Sequence, residues 1–406
     1  MSGDERGLPP RGSGAEWRRG VVDITSLAAG GDGVGRDDTG RVTFVPLTAP
    51  GDRVQIRIIK QTKSFARGEV EAIETASPDR VAPPCPAFVA GCGGCQWQHV
   101  AMPAQLAAKH AIVVNALRRV IANVDPIVAP APPYGWRRRA RFHVAGGAIG
   151  LYRTASHDIL PLAACPQLEP ELEAVLAFLA ATAKNTPIPD GELALLRGHR
   201  GDIAIAFERP WRAAATLVGQ HGIAGVLAAD QAHGTPVIEV EPGLYGSPWD
   251  FAQASAAGNA ALIAVARELL GKARPGGDDV LELYAGAGNF TRAFTEDGWR
   301  VTPSDAFEPA RPPPRFITGS VEWVLATYQA KPHAIVLDPP RAGAAEAIDG
   351  IVRIAPQAIV YISCDPATLA RDAERLLAAG YRAERAVPVD LMPQTSHVEV
   401  ALLLGR

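Results

Sequence analysis

From about residue 243 onward, short apolar runs alternate with helical stretches, and this alternation leaves few folds open to the chain. AAGNAALIAVARELLGKA reads as a helix, DDVLELYAGAG as a strand entering a Gly-rich turn, TRAFTEDG as a helix and WRVTPSD as a strand. HAIVLDPP and QAIVYISC are further apolar strands that end in polar or Pro residues. PATLARDAERLLAAG is a helix closed by Gly380, and VEVALLLG is a final strand. Strands separated by helices imply a doubly wound α/β sheet, with its ligand crevice at the carboxyl ends of the strands. AFEPARPPPRF, which follows WRVTPSD, is too short and too rich in Pro to form the helix expected at that place.

The upstream half has a different grain. Within residues 17–76, RVTFVPL, DRVQIRII and ARGEVEAIE are strand candidates, with GGDGVG, DDTG and APGD as turns. Short strands at this spacing suggest a small β-barrel. Lys60, Lys63 and Arg67 fall on the expected loop between two strands, with Phe65 among them. Basic residues interleaved with an aromatic suit RNA, although an ordinary solvated hairpin has the same pattern.

Residues 79–98 are rich in Pro, Cys and Gly and mark a boundary. Helices over 99–122 and 168–183, and strands over 136–153 and in DIAIAFER, make a mixed α+β middle part. WRRRARFHV brings Arg137, Arg138, Arg139 and Arg141 together. Strand alternation puts Arg137, Arg139 and Arg141 on one side, a stripe able to neutralise phosphates. The expected division is a disordered tail at 1–16, an RNA-binding barrel at 17–78, a central α+β domain at 79–242 and the α/β domain at 243–406.

Composition sets the outer limits. With 47% hydrophobic and 20% charged residues among 406, the chain is not disordered throughout. No uninterrupted apolar run reaches the roughly 18 residues of a membrane span, and the N-terminus lacks the apolar core of a secretory signal. A cytoplasmic protein without membrane contact is therefore expected. The net charge of -3 excludes a protein that is basic all over but leaves room for a local basic path. Five cysteines, an odd and sparse set, do not read as a disulfide framework.

The chemistry concentrates in four places. Glu282-Leu283-Tyr284-Ala285-Gly286-Ala287-Gly288-Asn289-Phe290 is a strand–turn–helix passage whose glycines admit a ligand to the backbone, and Asp305 at the next strand end can bind ribose hydroxyls. The missing third glycine disfavours NAD. Asp338-Pro339-Pro340-Arg341 ends another strand at the crevice, and Arg341 in place of an aromatic points away from methylation of exocyclic amines. Cys364 ends a buried strand, with Asp365 as N-cap and Pro366 in the first turn of the next helix. The positive end of that helix is expected to lower the thiol pKa and make Cys364 a nucleophile. Glu399, entering the last strand, is a candidate base; the role of His397 stays open. Cys85, Cys92 and Cys95 lie within eleven residues, and with Cys165 they make four thiols that can hold a 4Fe-4S cluster or a structural zinc.

Taken together and in this order, LELYAGAGNF, LDPPRAG, SCDPATLARD and QTSHVE resemble the RNA uridine-5 methyltransferases that use S-adenosylmethionine. The resemblance covers nearly the whole chain. The barrel resembles the TRAM domain, and the middle part resembles the cluster-bearing domain of the 23S ribosomal RNA branch. The last part resembles the class I (Rossmann-like) methyltransferase domain. The resemblance implies that Cys364 adds to carbon 6 of the uracil and that Glu399 removes the carbon-5 proton. It implies that Asp338 orients the reacting groups. Gln253, Tyr284, Gly286, Gly288, Asn289, Asp305, Ser320 and Asp338 would line the methyl-donor and base site. It favours a 4Fe-4S cluster over zinc on the four cysteines and 23S rRNA over transfer RNA as substrate; a monomer is expected. A non-catalytic RNA-binding protein of the same fold is the rival from another class.

Overall fold

The structure, a computed structural model, describes residues 18–273, 276–309 and 311–406. The tail expected at 1–16 lies outside them. The described chain forms two compact units. The first holds residues up to 90, 94–112 and Gln394–Ser396; the second holds Gly91–Gly93, Val113–Pro393 and His397–Arg406.

In the first unit, β1 (Arg19–Leu27), β2 (Gly33–Arg36), β3 (Val42–Val45), β4 (Arg53–Gln61) and β5 (Phe65–Thr75) close a barrel in the order β1-β2-β3-β5-β4. Strand alternation fills it, because Val22, Ile24, Val45, Val54, Ile56, Ile58 and Ala66 point inward. GGDGVG is not wholly the turn expected from its glycines, since its second half belongs to β2. The barrel wall demands those glycines. A Cβ on Gly33 would lie 2.0 Å from Thr48 Oγ1, and one on Gly35 would lie 2.2 Å from the Asp23 carbonyl oxygen. The basic loop is also shorter than expected: Lys60 is in β4, Phe65 and Arg67 are in β5, and Lys63 alone stays in the turn. Arg67 pairs with Asp32.

After α1 (Pro86–Val89) and α2 (Met102–Leu117), the second unit contains a sheet of β6 (Arg139–Ala145), β7 (Ala148–Tyr152), β8 (Ile159–Pro161), β9 (Gly191–Arg197), β10 (Ile203–Phe207), β11 (Ile223–Ala228) and β12 (Gln231–Gly234). Helix α3 (Pro170–Thr182) contributes buried Leu172, Val175, Leu176 and Leu179 to the core. Along β6, Arg139 and Arg141 are solvent-accessible while Ala140 and Phe142 are buried, the expected alternation. Arg138 does not join that stripe. It is 3% exposed and paired with Glu241, so a role in binding RNA is withdrawn for it.

A hairpin of β13 (Ile238–Glu241) and β14 (Leu244–Gly246) leads to the large α/β layer. Its elements are α4 (Ala256–Ala273), β15 (Asp279–Leu283), α5 (Asn289–Glu296), β16 (Arg300–Asp305), β17 (Ile317–Thr318), α6 (Val321–Thr327) and β18 (Ala334–Leu337). There follow α7 (Ile348–Ile354), β19 (Ala358–Ser363), α8 (Pro366–Ala378), β20 (Arg382–Val389) and β21 (Glu399–Gly405). The strand order is β17-β16-β15-β18-β19-β21-β20. The first five strands are parallel and β21 runs antiparallel to β19. Strands covered on both faces must be apolar throughout, which is why AIVL and AIVYIS are continuous runs. Leu262, Leu269, Phe290 and Phe294 form one side of the core, and Ile348, Leu369 and Leu376 the other. As expected, the described residues of 306–316 contain no helix. No helix among the described residues is long and apolar enough to cross a membrane.

Candidate active site

The reversal of β21 builds the site. In the β19–β21 ladder Ser363 faces Val400, so the next position of the same register sets Cys364 opposite Glu399. In the β18–β19 pair Leu337 faces Tyr361, which puts Asp338 on the same edge. Cys364, Glu399 and Asp338, expected from three separate segments as nucleophile, base and orienting carboxylate, therefore lie together at the carboxyl ends of β18 and β19.

Their electrostatics depart from expectation at one point. Burial, with the Glu399 and Asp338 carboxylates adding, pushes the Cys364 thiol up to about 11, while Arg341 pulls it down. The helix end does not deliver the lowered thiol expected from it. Asp365 Oδ1 already accepts the first free N–H groups of α8, from Ala367 at 2.9 Å and Thr368 at 3.0 Å. The two carboxylates come from distant strands and oppose ionisation of the thiol. Glu399 is 6% exposed, and its carboxyl is pushed up to about 8 by burial and then by Asp338, with Arg341 opposing. Burial also raises Asp338 to about 7. Arg341 thus acts on both Cys364 and Glu399, a part the sequence did not reveal; its Nη2 lies 3.3 Å from His397 Nε2.

The Gly-rich turn lies at the ends of β15 and β16. Tyr284 takes a left-handed φ of 59°, and its hydroxyl donates to Glu346 at 2.9 Å. Burial and Glu346 raise the phenol above its ordinary range. Gly286 (φ 54°) donates its N–H to Asp305 Oδ2 at 2.9 Å, and a Cβ there would meet nothing within 4 Å. This open backbone beside a carboxylate, in the crevice of a doubly wound sheet, fits a nucleoside ligand such as a methyl donor. Gly288 precedes α5 with φ 92°. Below the turn, Glu282 is 2% exposed and pushed up to about 8 by burial, with the Thr291 hydroxyl opposing at 2.5 Å.

The other expected residues are held in place by neighbours. Asn289 and Asn259 exchange amide hydrogen bonds of 2.8 and 3.0 Å. Asn259 also donates to Glu241 at 2.8 Å, and Glu241 accepts from Arg138 at 2.6 Å. Arg138 Nε reaches the Gln253 carbonyl at 3.1 Å. This chain of contacts, centred on the Arg138–Glu241 ion pair, fixes Asn289 and the Gln253 backbone. Asn259, a buried polar residue in an apolar helix, was the one legible signal of it. Ser320 caps α6, accepting from the Trp323 N–H at 3.3 Å.

Cys85 and Cys95 belong to the first unit, Cys92 and Cys165 to the second. The described residues contain no group of three or more Cys, His, Asp or Glu side chains that could hold a metal ion. The expected four-thiolate set is therefore not found as a formed centre. Local backbone roles are visible instead: Cys85 occupies the N-cap of α1, and the Cys165 N–H donates to Glu173 at 2.9 Å.

A doubly wound sheet with an open Gly-rich turn, joined to a closed five-stranded barrel, has the architecture of an S-adenosylmethionine-dependent methyltransferase with an N-terminal TRAM barrel. The TRAM domain model matches residues 21–70, and the tRNA (Uracil-5-)-methyltransferase model matches residues 315–406. The chain is 32% identical to the 23S rRNA (uracil(1939)-C(5))-methyltransferase RlmD of Edwardsiella ictaluri, over 93% of this chain and 94% of that protein. It is 33% identical to the enzyme of the same name from Halomonas elongata, over 97% of this chain and 91% of that protein. The Pyrococcus abyssi tRNA (uracil-54, C5)-methyltransferase, solved with S-adenosyl-L-homocysteine, has the same fold. Its TM-score is 0.74 at 23% identity, covering 95% of this chain and 99% of that one. The chain belongs to the family of RNA uracil-C5 methyltransferases.

Proposed function

We propose that this protein methylates carbon 5 of a uridine in 23S ribosomal RNA. The observation that carries the reading is the register pairing of Cys364 with Glu399 at the sheet edge, beside Asp338. The names of the relatives support the choice of RNA. Carbon 5 of uracil is a poor nucleophile. Addition of the Cys364 thiolate to carbon 6 breaks the ring double bond and moves its electron pair toward carbon 5 and oxygen 4. S-adenosylmethionine, when bound, supplies an electrophilic methyl group on a sulfonium. After carbon 5 has taken the methyl group, Glu399 removes its proton, the double bond re-forms and the bond from sulfur to carbon 6 breaks. Arg341 offsets the negative charge around the thiol, and Asp338 orients the reacting groups.

Tyr284, Gly286, Gly288, Asn289, Asp305, Ser320 and Gln253 are assigned to the methyl-donor site. The barrel hairpin with Lys60, Lys63, Phe65 and Arg67, and the Arg137, Arg139 and Arg141 face, are assigned to RNA. These assignments keep the division into parts at 17–78, 79–242 and 243–406. Deleting the gene is expected to remove one 5-methyluridine from 23S rRNA and to leave transfer RNA unchanged when both are mapped. Loss from transfer RNA instead would transfer the reading to that substrate, and no loss from either would end it.

Cys85, Cys92, Cys95 and Cys165 are proposed to hold a 4Fe-4S cluster, because four thiols can do so and the sequence resembles the cluster-bearing ribosomal RNA branch, and no step of the reaction passes through it. Anaerobically purified protein is expected to contain about four irons per chain. One zinc and no iron would favour the structural-zinc reading, and neither metal would remove both.

A further inference from the structure

Between β16 and β17 the chain carries Pro309, Pro312, Pro313 and Pro314 and, among its described residues, no helix. It is nonetheless fastened. The Phe307 N–H donates to Asp305 at 3.2 Å, and the Thr318 hydroxyl donates to Glu308 at 3.3 Å. The guanidinium carbon of Arg311 lies 3.7 Å from the centre of the Tyr245 ring, on β14. Two residues further on, Pro313 backs the Gly-rich turn, for a Cβ on Gly288 would come within 3.0 Å of Pro313 Cγ.

A Pro-rich segment is stiff but cannot tie itself down through its own N–H groups. Its position depends on what its ends and side chains grip. A guanidinium stacked on an aromatic face is such a grip, directional and chemically specific. Arg311 is otherwise exposed, so no packing requirement of the core explains where it lies.

We propose that Arg311 is a positioning residue for the methyl donor: stacked on Tyr245, it holds Pro313 against Gly288 and fixes the wall that a helix would otherwise supply. This rests on the reading that the donor occupies the Gly286–Gly288 turn. Arg311 acts through Pro313 and touches no reacting atom.

The test measures S-adenosylhomocysteine affinity by calorimetry in the full-length protein. Arg311→Ala and Tyr245→Leu are each expected to weaken binding about two- to fivefold, the range of an exposed cation–π contact. The double variant should be no weaker than either single one, because both remove the same contact. Tyr245→Phe, which keeps the ring, should bind like the wild type. Tryptic cleavage after Arg315 should quicken in the two disrupting variants, while RNA affinity stays unchanged. Additive effects, or a loss in Arg311→Ala without one in Tyr245→Leu, would overturn the latch. Wild-type protein that binds no S-adenosylhomocysteine would instead overturn the donor-site reading beneath it.

Discussion

Cys364→Ala is expected to abolish methyl transfer, with a loss of roughly 10⁴-fold or more, because without addition of its sulfur to carbon 6, carbon 5 stays a poor nucleophile. The same variant forms no covalent complex with RNA carrying 5-fluorouridine. With that base the wild type is trapped, since the fluorine on carbon 5 cannot leave as a proton does. Residual transfer within tenfold of the wild type would remove Cys364 from the mechanism. The resting thiol adds a second readout. Pushed up to about 11, it is protonated at neutral pH. Its alkylation, followed by peptide mass spectrometry, should therefore be slow at pH 7 and quicken about tenfold per pH unit up to about pH 10. A rate already level at pH 7 would show that burial and the two carboxyl groups do not hold the thiol protonated.

Glu399→Gln leaves addition and methyl transfer possible but removes the proton acceptor. Turnover should fall about 10²- to 10⁴-fold, the usual worth of a general base. Methylated RNA should accumulate as a covalent adduct on Cys364, visible as a shifted band in denaturing gels. The sign of the pH effect follows from the raised carboxyl. Below about 8 Glu399 is mostly protonated and cannot act as a base, so up to that point its ionisation adds to the rise of wild-type turnover with pH that ionisation of Cys364 imposes. The variant should keep only the shallower rise due to Cys364. Normal turnover, or a fall without adduct, would assign the proton to another group.

The order of strands and helices after residue 243 was legible because β18 and β19 are buried on both faces and had to be apolar from end to end. β20 was not anticipated: RAERAVPV mixes charge with a Pro and shows no clean period. The glycines of GGDGVG suggested a turn by composition, whereas Gly33 and Gly35 serve a closed barrel that only the folded wall explains. Asp305, Asp338, Cys364 and Glu399 were expected at strand ends and stand there. What they do to one another was not legible. The rise of the Cys364 thiol comes from burial and from Glu399 and Asp338, which lie 35 and 26 positions away in sequence. Arg138 was misassigned because a run of arginines looks uniform until Glu241, more than a hundred residues on, claims one of them.

The strand that carries Glu399 follows all the other described strands in sequence, yet it lies inside the sheet, between β19 and β20. β20 has no other neighbour, so the two form a terminal hairpin that must dock on β19 as one piece. Cys364 can thus be in place before the group it works with. Any event that undocks this hairpin from β19 separates Glu399 from Cys364 while leaving the parallel strands intact, so catalytic competence rests on this one antiparallel pairing.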